Sequence, residues 1–244
     1  MSIRTIAIIL LLLPAGLIAQ APSGVIKKAN KSMGGEKALK QITSWQATGT
    51  IRRVSDGATG KYSAMASGGN LFSEAYDLNG FEVSTGYNGK SGWSRDSRNG
   101  LRTLTGEAGK IFQAEAGYRN SRWLNAKSEK AKLIPGGFMK VNGTDAACVF
   151  MTTAKSVRIR MCFDQASGML VREELPQDEG LKTFEYSDYR VIGGVQTALA
   201  MTISADGETY EVKLDDVKRN VQIARSGFDF PRISDEPLPD LNSF

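Results

Sequence analysis

The sequence predicts an α+β, mainly β fold. Its core is one large curved antiparallel sheet, a partial barrel, with helices covering the concave face. Three observations carry this expectation. Short strand-like runs bounded by turn dipeptides recur from Trp45 onward. Two stretches with helical spacing, 23–42 and 106–124, accompany them. A long series of antiparallel strands must also dispose of its edges, by closing or by curling around something.

The first twenty of the 244 residues stand apart. Arg4 gives a positive start, Ile6 to Leu13 is unbroken apolar sequence, Pro14 and Gly16 interrupt it, and Ala19 and Ala21 follow. This is the pattern of a secretory signal peptide. The alternative, an uncleaved anchor, asks for about 20 apolar residues, and the run is well short of that. Residues 1–20 are therefore read as a signal peptide and 21–232 as a single domain. Residues 233–244, with Pro237 and Pro239, are read as a flexible tail. The expected location is exported, in a bacterial periplasm.

The first helix is expected from Ser23, a cap residue. Val25, Ile26, Ala29 and Met33 form its apolar stripe, and Lys27, Lys28 and Lys31 lie on other faces. Gly34-Gly35 stops it, and Glu36 to Ile42 adds a further turn or two. The stripe is short and lacks aromatics, so it suits packing on a sheet better than lying on a membrane.

Strands then follow at 46–54, 60–66, 71–76, 81–87 and 92–95. The dipeptides Asp56-Gly57, Gly68-Gly69, Asn79-Gly80 and Asn88-Gly89 punctuate them. Ala108, Ile111, Phe112, Ala116, Tyr118 and Trp123 recur at helical spacing, which predicts a helical insertion over 106–124. Strands resume near 130–134, 138–142, 146–153, 156–163, 169–175, 181–190, 195–204 and 208–217, with the clearest alternation from Thr209 to Leu214.

Cys148 and Cys162 are the two cysteines. If the hairpin between them centres on Lys155, both lie seven residues away and face each other. Opposed positions on paired strands are close enough for a disulfide, and an exported protein favours one. The alternative is two reduced thiols on facing strands.

Composition narrows the chemistry. The chain has no histidine, so Ser-His-Asp and Cys-His catalysis in their usual forms are excluded, as is the commonest zinc ligand. Without Arg4 the balance is 30 basic residues against 26 acidic. That weak, dispersed excess does not suit nucleic acid and allows peripheral contact with an anionic membrane. Gly89-Lys90-Ser91 lacks the earlier glycine of a phosphate loop, because position 84 is Ser, and reads as a hairpin turn. The acidic pairs Glu173-Glu174, Asp178-Glu179, Asp215-Asp216 and Asp235-Glu236 diverge on strands or lie in turns. No catalytic residue, metal site or cofactor is expected. Trp45, Phe72, Phe81, Trp93, Phe112 and Trp123, with Ile111 beside them, are either ordinary core or the lining of a cavity.

Several motifs together carry a family resemblance. They are Ser44-Trp45, Asn70-Leu71-Phe72, Asn88-Gly89-Lys90-Ser91-Gly92-Trp93, Phe228-Asp229-Phe230-Pro231, and Phe184 to Arg190 with Gly193-Gly194-Val195. In that order, across residues 24–231, the chain resembles the periplasmic outer-membrane lipoprotein-sorting proteins with the lipoprotein carrier and receptor (Lol) fold. The resemblance implies an unclosed barrel whose helical lid covers an apolar cavity for lipid or lipoprotein acyl chains. It departs at one place. The carrier has an arginine just before its Pro-Asn-Leu-Phe segment that helps hold the lid, whereas Gly68 and Gly69 stand here. The expected function is therefore non-enzymatic holding or carrying of lipids or lipoprotein acyl chains. An envelope module with a filled core, binding other envelope proteins, is the second reading, and a hydrolase the last.

Overall fold

The computed structural model describes residues 20–177 and 179–231. The expected signal peptide up to residue 19, Asp178, the Asp235-Glu236 pair and the segment expected as a flexible tail lie outside these residues.

Thirteen strands form one antiparallel sheet that does not close. In chain order they are β1 (Ser44–Arg53), β2 (Thr59–Ser67), β3 (Leu71–Leu78), β4 (Phe81–Tyr87), β5 (Gly92–Asp96), β6 (Gly100–Leu104), β7 (Lys132–Val141), β8 (Thr144–Thr152), β9 (Arg158–Asp164), β10 (Leu170–Pro176), β11 (Leu181–Ile192), β12 (Val195–Ala205) and β13 (Glu208–Arg219). The spatial order runs β6-β5-β4-β3-β2-β1-β13-β12-β11-β10-β9-β8-β7, so two meanders join where β1 pairs with β13. Edges remain at β6 and β7.

Two differences from the sequence reading have physical causes. The expected strands at 130–134 and 138–142 are one strand, β7, whose register shifts between Pro135 and Gly137. That irregularity is what divides the apolar pattern. The edge strand β6 was not expected, because four of its five residues are exposed and show no alternation.

Inward-facing side chains follow the strand period. Ala47, Ile51, Tyr62, Ala64, Val149, Met161, Phe184 and Val212 are buried along the concave face. Strands β2 and β3 approach each other closely at Gly60. A Cβ on Gly60 would lie 1.4 Å from the Asp77 carbonyl oxygen, so only glycine permits that approach.

Helix α1 (Pro22–Ser32) and the single turn α2 (Glu36–Lys40) cover one arm. Ser23 lies inside α1 rather than capping it; Pro22 occupies the first turn, where a missing N–H costs nothing. Val25, Ala29 and Met33 are buried as the stripe predicts, and Ile26 is half-buried. Lys28 Nζ donates to the Gln165 carbonyl and Ser32 Oγ to the Ser167 carbonyl, both at 2.5 Å, seating α1 on the β9–β10 turn. Helix α3 (Gly106–Ser121) covers the other arm, packing on β2 to β6.

Cys148 and Cys162 are opposite each other in the β8–β9 register and form a disulfide, with Cα atoms 4.0 Å apart. They pack with Val141 and Ala146, on the face opposite inward-pointing Ala147 and Val149.

Candidate functional site

Between the helices and the concave face lies a cavity of about 190 Å³. One water needs about 10–15 Å³ on this measure, so the space corresponds to more than ten waters. Both helical segments roof it: Met33, Leu39 and Ile42 from the first, and Arg119 to Leu124 from the end of α3. Ala47, Ala64, Met201, Leu214 and Val217 supply apolar wall from the sheet.

Three of the seven expected lining residues come together here: Trp45, Phe72 and Trp123. Trp45 Nε1 donates to the Arg119 carbonyl at 3.1 Å, which joins β1 to α3. Trp123 Nε1 donates to Asn30 Oδ1 at 2.7 Å, which ties the two roof segments to each other. Its ring meets Phe163 edge-on at 5.0 Å.

The other four lie elsewhere. Phe112 sits behind the wall, 6.2 Å from the Phe72 ring. Ile111 lies in a separate outward-opening groove of about 420 Å³, with Phe150 and Leu181. Phe81 lies beneath the Arg98 guanidinium, 5.7 Å away. Trp93 is on the convex face. Register pairs Phe72 with Tyr87 and Tyr87 with Gly92, so Gly92 points inward and Trp93 outward. Its indole lies on Gly86, where a Cβ would come within 2.4 Å of the ring, and Nε1 donates to the Phe228 carbonyl at 2.9 Å. The Phe228–Pro231 segment thus covers the outer face and takes no part in the cavity. The register argument needed only the strand boundaries, so this placement was readable in principle.

A buried ionic network, which the sequence reading missed, crosses the concave face. Arg119 on α3 donates to Glu173 on β10 at 2.8 Å, and Glu173 is wholly buried. Tyr186 donates to the same carboxylate at 2.6 Å, and Tyr118 donates to its other oxygen. Burial alone would raise the Glu173 pKa. The charges of Arg119 and Arg122 and the two phenol hydrogen bonds outweigh it and hold the carboxyl below its ordinary range. Glu174 points the other way, to Arg160 and Arg172, so this adjacent pair diverges as expected.

A second pair spans the trough. Lys182 on β11 donates to Glu74 on β3 at 2.7 Å, although those strands are five steps apart in the sheet. Tyr62 donates to the other Glu74 oxygen at 2.8 Å, and Lys182 lies 3.8 Å from Glu115. Curvature has brought the two arms into side-chain contact across the trough. The signal for this network was present but weak: Glu115 and Arg119 lie at i,i+4 on the helix face that carries Ala116.

No protein-family model matches the chain, and no curated protein matches it. Solved structures do. One is described as an outer membrane lipoprotein-sorting protein domain from Vibrio parahaemolyticus, 13% identical over 86% of this chain and 96% of that one, with a TM-score of 0.53. A LolA superfamily protein from Nitrosomonas europaea is 16% identical over 86% and 98%, with a TM-score of 0.53. A DUF1329 family protein from Desulfovibrio piger is 12% identical over 86% and 97%, with a TM-score of 0.54. The chain has the fold of these three structures. At such identities the likeness is one of fold. The helix-covered unclosed barrel implied by the sequence resemblance is therefore the observed architecture.

Proposed function

We propose that the chain is an exported, non-enzymatic binder or carrier of lipids or lipoprotein acyl chains in the bacterial cell envelope. We further propose that residues 21–232 act as one domain behind a cleaved signal peptide. The observation that carries the reading is the apolar-walled cavity beneath two helical segments. Burying acyl chain there contributes about 0.8 kcal/mol per methylene. The observed volume is below the roughly 300–1,000 Å³ of drug-sized sites. It suits part of one chain, and longer cargo requires the roof to lift. The exposed Lys27, Lys28, Lys31, Lys37 and Lys40 give that roof a basic outer surface for approach to an anionic membrane.

Gly68 and Gly69 stand where the carrier resemblance implies an arginine. The charged contact between roof and sheet is here made by Arg119 of the roof to Glu173 of the sheet. A holding role follows from this more directly than the carrier's lid switch does.

The test is native mass spectrometry of the chain purified from a bacterial periplasm, followed by solvent extraction. Co-purified phospholipid or acylated peptide is the expected result. A chain that stays empty when challenged with lipids overturns the proposal and favours a filled-core interaction module.

A further inference from the structure

The cavity wall carries four charged side chains: Glu74, Arg119, Arg122 and Arg219. Two of the four have ionic partners. Glu74 is bound by Lys182 and Tyr62, and Arg119 by Glu173 and Glu115. Among the described residues, neither of the other two makes an ion pair with a carboxylate.

Among the described residues, Arg219, at the end of β13, donates only to neutral oxygens, the Ile192 carbonyl and the Thr197 hydroxyl. Among the described residues, the guanidinium of Arg122 makes no hydrogen bond or ion pair, and it lies 5.9 Å from the Trp123 ring. Arg122 is moreover a non-glycine residue held at φ 50°, at the turn where α3 ends. That conformation is disfavoured for a side chain of its kind.

The two guanidiniums sense each other. Arg219 is held below its ordinary range by burial and by the positive charge of Arg122. For Arg122 burial also opposes the charge, but Glu173 and the phenols of Tyr186, Tyr118 and Tyr189 outweigh it. Glu173 is meanwhile already held by Arg119, Tyr118 and Tyr186. Two like charges, one of them without a hydrogen bond or ion pair among the described residues, thus face a space whose apolar lining includes Met33, Leu39, Ile42 and Trp45. For Arg219, whose charge burial and Arg122 both oppose, an arriving counter-charge is favourable, and Arg122 beside it has guanidinium donors left to offer.

We infer that Arg122 and Arg219 form a binding site for the anionic head group, carboxylate or phosphate, of an amphiphile whose tail occupies the apolar cavity. Guanidinium forks suit both anions bidentately. The inference rests on the lipid-binding reading and narrows it to acidic lipids with one chain in the cavity.

The experiment compares three probes of equal chain length on the purified full chain, by intrinsic tryptophan fluorescence and native mass spectrometry. The probes are oleate, oleoyl-lysophosphatidate and uncharged oleyl alcohol. Both acids are expected to bind at least tenfold tighter than the alcohol, and whichever is tighter identifies the head group as carboxylate or phosphate. R122Q and R219Q should each remove most of that preference, read as the ratio of acid to alcohol binding within the same variant. R52Q, an exposed position paired with Glu211 outside the cavity, should keep it. Equal binding of acid and alcohol by the unaltered chain overturns the anion site and leaves the lipid-binding reading standing. So does an acid preference that survives in both variants. Failure of all three probes to bind overturns both. The probe series on the unaltered chain needs no variant to fold.

Discussion

Arg119 is the residue whose loss tests the buried network most directly. Its guanidinium lies 2.8 Å from Glu173, 3.2 Å from the Tyr186 hydroxyl and 3.5 Å from Glu115, and 4.1 Å over the Phe184 ring. Arg119→Met keeps much of the apolar stem and strands the carboxylate of a wholly buried Glu173. Breaking a buried pair in this way costs about 3–5 kcal/mol. For a chain of this size each kcal/mol moves Tm by about 2–4 °C, so a fall of about 6–20 °C is expected in a thermal melt at pH 7. R119M/E173Q removes the stranded charge and should recover more than half of the loss. The pH dependence follows with a definite sign. In the unaltered chain Glu173 lies below its ordinary value of 4.5, so its contribution is present above that pH and is lost as pH falls through the lowered value. In R119M burial dominates and the carboxyl titrates higher, so the destabilisation present at pH 7 is relieved on acidification. The gap between the two melting curves should therefore narrow from pH 7 towards pH 4. A gap that stays constant, or a double variant no better than the single one, would refute the network's role.

Three further outcomes are expected. Ala198 lines the cavity on β12 and is only half-buried, so A198F should fill the space and reduce lipid co-purification at least several-fold, with Tm within a few degrees. W93A should do the reverse: it removes a buried indole from the convex face, costs about 3–5 kcal/mol in a denaturant titration, and leaves bound lipid unchanged. The disulfide closes a loop of 14 residues, so C148A/C162A, or reduction, should cost about 2–3 kcal/mol by melting with the hairpin register intact.

Much of the fold was legible because its signals are local. The turn dipeptides bound the hairpins: Asn88 Oδ1, for one, accepts from the Lys90 and Ser91 amides and closes the β4–β5 turn. The equal distance of Cys148 and Cys162 from Lys155 determines their register, and the Val25-Ala29-Met33 stripe marks the buried side of α1. Where the sequence reading fell short, the information was not local. Strand β6 has no buried face to impose a pattern. Trp93 is the exception: the pairing of Tyr87 with Gly92 within one hairpin places it on the convex face, a local signal that the aromatic count alone overlooks.

By itself, the sequence determines the periodicities, the turns, the absence of histidine chemistry and the disulfide register. Each depends on residues near one another in the chain. Only the tertiary structure decides that Glu74 meets Lys182 across four intervening strands, that Arg119 reaches Glu173, and that Arg122 and Arg219 share one cavity. Those contacts depend on how far the sheet curls. That curvature is the summed effect of twist, close approaches such as Gly60 on Asp77, and helices packed into the trough, none of which a local pattern records.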